Sequence, residues 1–196
     1  NIWEVPTILD SMHHRVYAEI KNVPALGYKV LEIKPNPNKM QKRPGIAIGN
    51  VLENSKLKAT VNPNGTLDVL YKETGKEYKN LGYFKDSGEI GNPWQHIAPE
   101  IDEVFTTLGE VATVSRIYEG EFETSYRIKM RWHLPEKKAD DEKTRSEHKL
   151  PVDIESIVTL RKGSRYLEVE TTINNRCEDH YLQVAFPTGI KATHAD

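Results

Sequence analysis

Alternation of apolar and polar side chains over residues 122–134, broken only at Thr124, limits the possible folds of this chain more than any other sequence feature. The apolar positions in this stretch are Phe122, Tyr126, Ile128, Met130, Trp132 and Leu134. Glutamate, serine, lysine, arginine and histidine occupy the positions between them. A period of two places the apolar set on one face of a β-strand and the polar set in water, whereas a helix would scatter both sets around its circumference. The stretch is therefore predicted to be a half-buried strand.

The same alternation recurs elsewhere, at Val152–Leu160, Leu167–Ile173 and Leu182–Phe186. The turn sequence Asn62-Pro63-Asn64-Gly65 separates two further strand-like runs, Leu57–Val61 and Thr66–Tyr71, and favours a hairpin between them. Long stretches with a helical period of 3.6 residues are lacking. We therefore predict an all-β fold in which antiparallel strands pack as a two-layer β-sandwich.

Proline and charge content divide the chain. Residues 1–45 are predicted to form a short β segment, with strands near Val16–Ile20 and Tyr28–Ile33, followed by the proline-rich linker Pro35–Pro44. Residues 46–196 are predicted to form the β-sandwich domain, incomplete at its C-terminus. Within it, the almost wholly charged stretch Pro135–Lys149 is expected to be a solvated hairpin excursion.

Composition excludes several classes of function. Lys plus Arg number 27 and Asp plus Glu 29, for a net charge of −2, so nucleic acid or an anionic membrane has no electrostatic attraction to the chain. Cys177 is the single cysteine, which cannot form an internal disulfide. A signal peptide and an apolar run of membrane-spanning length are not visible. We expect a cytoplasmic protein, and the initial Asn rather than Met suggests an excised piece of a larger one.

Searches for catalytic and metal-binding motifs fail. The sequence has no glycine-rich phosphate loop before a helix and no CxxC pair. His13 and His14 are adjacent and would point to opposite faces of a strand, while the other histidines lack the spacing of metal ligands. A glycosidase needs two opposed carboxylates, and no acid stands in an apolar setting that would raise its pKa. The residues alone therefore predict a β-sandwich without catalytic residues and without a metal site.

Several stretches together resemble family 38 of the glycoside hydrolases, the retaining α-mannosidases. Their β-sandwich domain contains a Leu-Glu-Asn strand, an Asn-x-x-Gly hairpin, a Lys-Glu-Thr-Gly turn and a DSG-x-x-G segment. The matching stretches, with one approach and one exit segment, are Val23–Tyr28, Leu52–Asn54, Asn62–Gly65, Lys72–Gly75, Asp86–Gly91 and Phe186–Ile190. Their order and spacing carry the resemblance, which runs over most of the chain.

The resemblance implies a supersandwich of the galactose-mutarotase type and a role inside a larger enzyme. In the family, an N-terminal catalytic domain supplies the zinc, its His and Asp ligands and the nucleophilic Asp. His13-His14 is followed by Arg15 where the zinc-ligand segment has Asp, so that role is not transferred. The expected partners are therefore the catalytic domain of the same polypeptide and a mannose-containing glycan. Zinc is expected in the full-length enzyme and no cofactor in this chain, which alone is expected to be inactive.

The stretch Asp86–Glu100 interrupts the alternation with glycines, prolines, acids, a Trp and a His. In the resembling family, this segment lies on the side of the β domain that meets the catalytic domain. A tryptophan face suits sugar C–H groups, and Asp or His side chains can bind hydroxyls. Asp86, Trp94 and His96 are therefore predicted to bind substrate. The structural alternatives are that Asp86 caps a turn and that Trp94 fills a domain interface.

Two other functions remain open at this point. The chain could be a free-standing carbohydrate-binding module of the mutarotase-like sandwich type. It could also be an interaction domain with an immunoglobulin-like sandwich and no role in sugar binding. A module should bind mannosides on its own, whereas a slice of an enzyme should bind them weakly or not at all.

Overall fold

The computed structural model describes residues 18–32, 34, 47–92 and 94–191. The chain divides into two compact units, Asn1–Met40 and Gln41–Asp196. In the first unit, residues 18–32 form no strand, and a turn at Ala25–Leu26 is closed by a hydrogen bond from the Gly27 N–H to the Pro24 carbonyl (3.2 Å).

The strand predictions for this first unit are therefore wrong over the residues that the structure describes. Residues 18–32 are all exposed, so this segment lacks the buried face that stabilises a strand, and Asn22 and Leu26 between the two predicted strands have positive φ angles. Val16, Tyr17, Ile33 and the predicted linker Pro35–Pro44 lie outside the described residues. The predicted domain boundary near residue 45 stays a prediction.

Strands are nearly all of the regular secondary structure in the described part of the second unit. They are β1 (Ala47–Ile48), β2 (Val51–Glu53), β3 (Leu57–Val61), β4 (Leu67–Tyr71), β5 (Lys76–Leu81), β6 (Tyr83–Gly88), β7 (Phe105–Thr106), β8 (Thr113–Glu119), β9 (Glu123–Pro135), β10 (Lys149–Arg161), β11 (Glu168–Asn174) and β12 (His180–Ala185). A short 3-10 helix, Thr107–Gly109, follows β7. No helix in the described ranges is long and apolar enough to cross a membrane.

The strands form three antiparallel sheets. Their orders are β1-β2-β3-β4-β5, β11-β10-β9-β8 and β12-β6-β7. The predicted hairpin at Asn62–Gly65 is confirmed between β3 and β4, where the Gly65 N–H donates to the Asn62 carbonyl (2.9 Å). Gly65 has a φ of +83° and lies against Ile128 and Met130, so this turn needs a glycine.

Strands β9 and β10 pair over 13 residues each and are the two middle strands of the four-stranded sheet. The predicted faces are confirmed: the apolar set of β9 from Tyr126 to Leu134 is buried, and the intervening Lys129, Arg131 and His133 are exposed. On the exposed face, Arg131 pairs with Asp153 at 2.7 Å. The alternation in sequence thus produces a sheet with one dry and one wet face.

Two hydrophobic clusters share the dry face of β9 and β10. The first joins Tyr126 and Ile128 to Leu52, Val61 and other side chains of the five-stranded sheet. The second joins Trp132, Leu134 and Val152 to Phe84 of the three-stranded sheet. The four-stranded sheet is therefore one layer, and the other two sheets together are the second. The predicted two-layer, all-β antiparallel sandwich is confirmed.

The Leu52-Glu53-Asn54 stretch has a structural role at the edge of this sandwich. Asn54 Oδ1 accepts the N–H groups of Lys56 and Leu57, both at 2.8 Å. Its amide Nδ2 donates to the carbonyls of Arg161 (2.8 Å) and Ser164 (3.0 Å). One side chain therefore shapes the β2–β3 turn and connects it to the β10–β11 turn.

Candidate functional site

Asp86, the first predicted site residue, lies in the central strand of the three-stranded sheet and is 0% exposed. Arg145 Nη2 lies 2.5 Å from its Oδ1, and His180 Nδ1 lies 2.5 Å from its Oδ2. Both oxygens of this carboxylate are thus occupied by side chains from distant parts of the chain. Asp86 connects β6, the 135–149 excursion and β12; it does not cap a turn.

The neighbours of His180 determine which of its ring nitrogens carries the proton. Asn175 Oδ1 accepts the backbone N–H of Cys177 (3.0 Å), which fixes the orientation of the amide. The Asn175 NH₂ group then faces His180 Nε2 at 3.0 Å, so Nε2 is the acceptor. Nδ1 therefore carries the proton and donates a hydrogen bond to Asp86 Oδ2. The two Asp86 contacts therefore pair donors with acceptors, whereas Arg145 Nε is buried without a hydrogen-bond partner among the described residues.

Glu89 organises the loop that begins where β6 ends. Its Oε1 accepts the N–H groups of Gly91 (2.6 Å) and Ile97 (3.0 Å), and its Oε2 contacts His96 Nδ1. The hydrogen bond from Ile97 and then that from His96 lower the pKa of Glu89 to about 2. The carboxylate is therefore ionised at neutral pH and joins the two ends of the loop by accepting hydrogen bonds from Gly91 and Ile97.

Trp94 lies at the tip of this loop and is 91% exposed. Asn92 Oδ1 accepts the backbone N–H groups of Trp94 (3.0 Å) and Gln95 (3.1 Å), which makes a tight turn. A Cβ on Gly91 would lie 2.1 Å from the Gln95 carbonyl oxygen, so this approach requires glycine. The indole therefore projects outward from a backbone that the loop's own hydrogen bonds define.

His96, two residues after Trp94, has one ring nitrogen available for a ligand. Its ring lies against that of Tyr181 on β12, with centroids 4.7 Å apart and planes at 35°. Because Nδ1 contacts Glu89, Nε2 is the nitrogen without a hydrogen-bond partner among the described residues. Both side chains are partly open, His96 at 44% and Tyr181 at 43%. The pair offers an oriented polar atom next to an aromatic surface.

Large exposed apolar side chains recur along the chain from this loop to β8. They are Trp94, Ile97, Ile101, Val104, Leu108 and Val111. We name residues 89–111, which carry these side chains, the corner. A row of large exposed apolar side chains on one segment is typical of an interaction surface.

The three predicted site residues therefore divide into two groups. Trp94 and His96 are exposed and close in sequence, whereas Asp86 is buried behind them. Whether any of them binds substrate stays a prediction. Sequence reasoning missed Arg145, His180 and Tyr181, for which no local pattern gave a signal. It placed Glu89 in the singled-out stretch Asp86–Glu100 but did not predict its role in shaping the loop.

A separate apolar cavity of about 340 Å³ lies between the layers. It is lined by Phe84, Val158, Leu182 and Val184 among others, and by none of the predicted site residues. In the described part of the chain, no group of three or more His, Cys, Asp or Glu side chains is placed to hold a metal ion. The chemistry that this arrangement offers is contact with a ligand through an aromatic face and an imidazole.

Comparisons with known proteins agree with this architecture. The model of the glycosyl hydrolases family 38 C-terminal domain matches residues 52–196. A protein of Halalkalibacterium halodurans named "Putative mannosylglycerate hydrolase" is 28% identical over 185 residues, which is 83% of this chain and 20% of that protein.

Solved structures give the same result. The crystal structure of an alpha-mannosidase from Enterococcus faecalis V583 aligns with a TM-score of 0.74 and 30% identity, covering 79% of this chain and 19% of that one. A second structure, of a glycosyl hydrolase family 38 protein from Enterococcus faecalis, has the same TM-score and identity and is covered to 20%. The chain thus spans about a fifth of the length of these relatives. Because the family match extends over most of its sequence, the chain belongs to the C-terminal domain family of the family 38 glycosyl hydrolases.

Proposed function

We propose that this chain is the non-catalytic β-sandwich part of a zinc-dependent, retaining α-mannosidase, in which it braces the catalytic domain and lines the sugar pocket with its corner. Family membership supports the glycosidase context. The observation that carries the proposal is the corner itself. A self-organised loop holds Trp94 in solvent and continues into exposed apolar side chains, as a surface made for a neighbour would.

Hydrolysis belongs, in this proposal, to the rest of the polypeptide. A retaining glycosidase needs a nucleophilic carboxylate and an acid on opposite sides of the scissile bond. Asp86 is buried and fully paired, and the described residues do not fit a zinc site. In this proposal the rest of the polypeptide supplies the zinc ligands and the nucleophile, and this chain alone is inactive.

The predicted contacts take different roles in this proposal. Trp94 would stack on the apolar face of a mannose ring, and His96 Nε2 would bind a sugar hydroxyl. Asp86 would touch a sugar only if Arg145 or His180 moved away from it, so we propose it as the anchor of the corner. The α-mannosidase and mannosylglycerate hydrolase names of the relatives support a mannoside as the class of substrate.

One observation favours the alternative of a free-standing carbohydrate-binding module. The hydrogen bonds that shape the loop around Glu89 all come from this chain, so the Trp94 surface needs no neighbour to form. A preformed aromatic surface can bind a sugar without paying the entropy of ordering.

Kinetics and titration test the proposal together. In the whole polypeptide that carries this domain, Trp94→Ala should lower kcat/KM for an α-mannoside by roughly three- to tenfold, which is the value of one aromatic contact. Tyr166→Ala, at an exposed tyrosine outside the corner, is the matched control and should leave kcat/KM unchanged. The chain alone should neither hydrolyse nor measurably bind methyl α-mannoside in calorimetry. Binding by the chain alone would favour the module, and a silent Trp94→Ala would remove the pocket role.

A further inference from the structure

The charged excursion between β9 and β10 is an ordered hairpin and packs against the corner. Within residues 136–148, the Glu136 N–H donates to the His148 carbonyl (2.9 Å), and the Ser146 N–H donates to the Lys137 carbonyl (2.9 Å). Lys138 and Arg145 face each other in an isolated bridge. The predicted hairpin is therefore confirmed, and the prediction that it is solvated is wrong at Arg145, which is buried.

Two sets of hydrogen bonds attach this hairpin to its surroundings. Toward the corner, the Ile101 N–H donates to the Lys143 carbonyl (2.9 Å), and Arg145 Nη1 donates to the Glu103 carbonyl (3.2 Å). On its other side, the Glu178 N–H of the β11–β12 turn donates to the Glu136 carbonyl (2.7 Å). The hairpin thus bridges the corner and the turn that leads into β12.

Arg145 is the centre of this bridge. Its side chain is only 3% exposed, its Nη2 lies 2.5 Å from Asp86 Oδ1, and its guanidinium lies over the Phe105 ring at 5.4 Å. A buried ion pair is poor at adding net stability, but loss of one partner leaves an uncompensated charge and is strongly destabilising. Such a pair therefore imposes one arrangement on the segments that it joins.

The corner has little regular structure of its own to hold it. Strand β7 is two residues long, and residues 96–104 form no strand. We propose that residues 136–148 act as a clasp, and that Arg145 is a positioning residue that holds the 98–104 segment, and with it the Trp94 loop, in place. The clasp concerns how the corner is held. The clasp itself does not depend on the proposed function. Only the statement that the corner contacts a sugar rests on that proposal.

Amide hydrogen exchange of the chain tests the clasp. Arg145→Met removes the charge and keeps an apolar stem. It should speed exchange of the Ile101 amide, which donates to the Lys143 carbonyl, and of the Gly88 amide, which donates to Asp102 Oδ1, by roughly tenfold or more, because the buried pair is lost. Arg145→Lys, which keeps the charge, should restore part of the protection. Arg131→Met is the matched control, since Arg131 also pairs with an aspartate across β9 and β10 but is 66% exposed, and it should change neither amide. Unchanged exchange of the corner in Arg145→Met would overturn the proposal.

A measurement without substitutions covers the case in which Arg145→Met fails to fold. In low denaturant, the Ile101 amide and the Ser146 amide of the unaltered chain should open together, with equal free energies and equal denaturant dependence. Opening of the corner while the clasp amide stays protected would overturn the proposal.

Kinetics of the whole polypeptide keep the two proposals apart. If the corner lines the sugar pocket, Arg145→Lys should raise KM several-fold and leave kcat unchanged. Faster exchange at the corner with an unchanged KM would support the clasp and count against the sugar contact.

Discussion

The β9–β10 pair and the corner are built in opposite ways. In β9 and β10, apolar side chains such as Trp132 are buried, and the charged ones pair in solvent, as Arg131 does with Asp153. In the corner, large apolar side chains such as Trp94 face solvent, and the partly exposed carboxylates of Glu89 and Asp102 accept backbone hydrogen bonds. The buried Asp86, just before the corner, pairs with Arg145.

This inversion separates two sources of order. Burial of apolar surface between the layers stabilises the strand pair. Hydrogen bonds to carboxylates fix the backbone of the corner and leave its apolar side chains available. A surface that is both fixed and apolar can bind a partner with little loss of conformational entropy.

Two tryptophans give the largest expected difference between the regions. Trp132 is 3% exposed in the second hydrophobic cluster, so Trp132→Ala should lower the free energy of unfolding by about 3–5 kcal/mol. Trp94→Ala, at a side chain that touches mostly water, should change it by less than about 0.5 kcal/mol. Urea unfolding of both variants measures the contrast. An equally large loss in Trp94→Ala would mean that the corner is a core and would break the comparison.

A substitution at Gly88 should have an intermediate effect on the free energy of unfolding. A Cβ on Gly88 would lie 2.6 Å from Pro99 Cγ, where the corner folds back on the end of β6. Gly88→Ala should therefore cost about 1–3 kcal/mol, because Pro99 and the Asp102 contact must shift. Gly109→Ala serves as the control, since no atom lies within 4 Å of its Cβ position. Thermal unfolding would show whether the corner tolerates the added methyl group, and full tolerance would mean that this close approach does not hold it.

The strand pair could be predicted from sequence because its information is local. The period of two in β9 determines which side chains are buried, and Asn62–Gly65 determines a turn with its own residues. Where a strand lies at an edge the same pattern predicts less: Val169 of β11 is apolar in phase and yet exposed.

The position of the corner could be predicted from sequence, but the contacts that hold it could not. Its break in alternation and its outward Trp94 were foreseeable. The partners of Asp86 were not, since Arg145 and His180 lie 59 and 94 residues away and are residue types common on surfaces. Arg145 also belongs to a charged run, for which solvent exposure was the reasonable expectation. A contact between such distant residues depends on the completed fold.

Titration of Glu89 is the finest test of the comparison. Hydrogen bonds from Ile97 and then His96 lower its pKa from 4.5 to about 2, so its contribution to the folded corner is present above pH 4.5 and is lost as the pH falls toward 2. The carboxyl ¹³C shift of Glu89 should therefore show a titration midpoint near pH 2, and exchange of the Gly91 and Ile97 amides should become faster as the pH approaches that midpoint.

In His96→Ala the titration midpoint of Glu89 should rise but remain below 4.5, because the hydrogen bond from the Ile97 N–H lowers this pKa more than the one from His96 does. Since Glu89 is open to solvent, the unfolding free energy of the sandwich should hardly respond. A midpoint near 4.5 in the unaltered chain would mean that the carboxylate does not hold the loop, and the corner would then lack the internal order that distinguishes it from an ordinary surface loop.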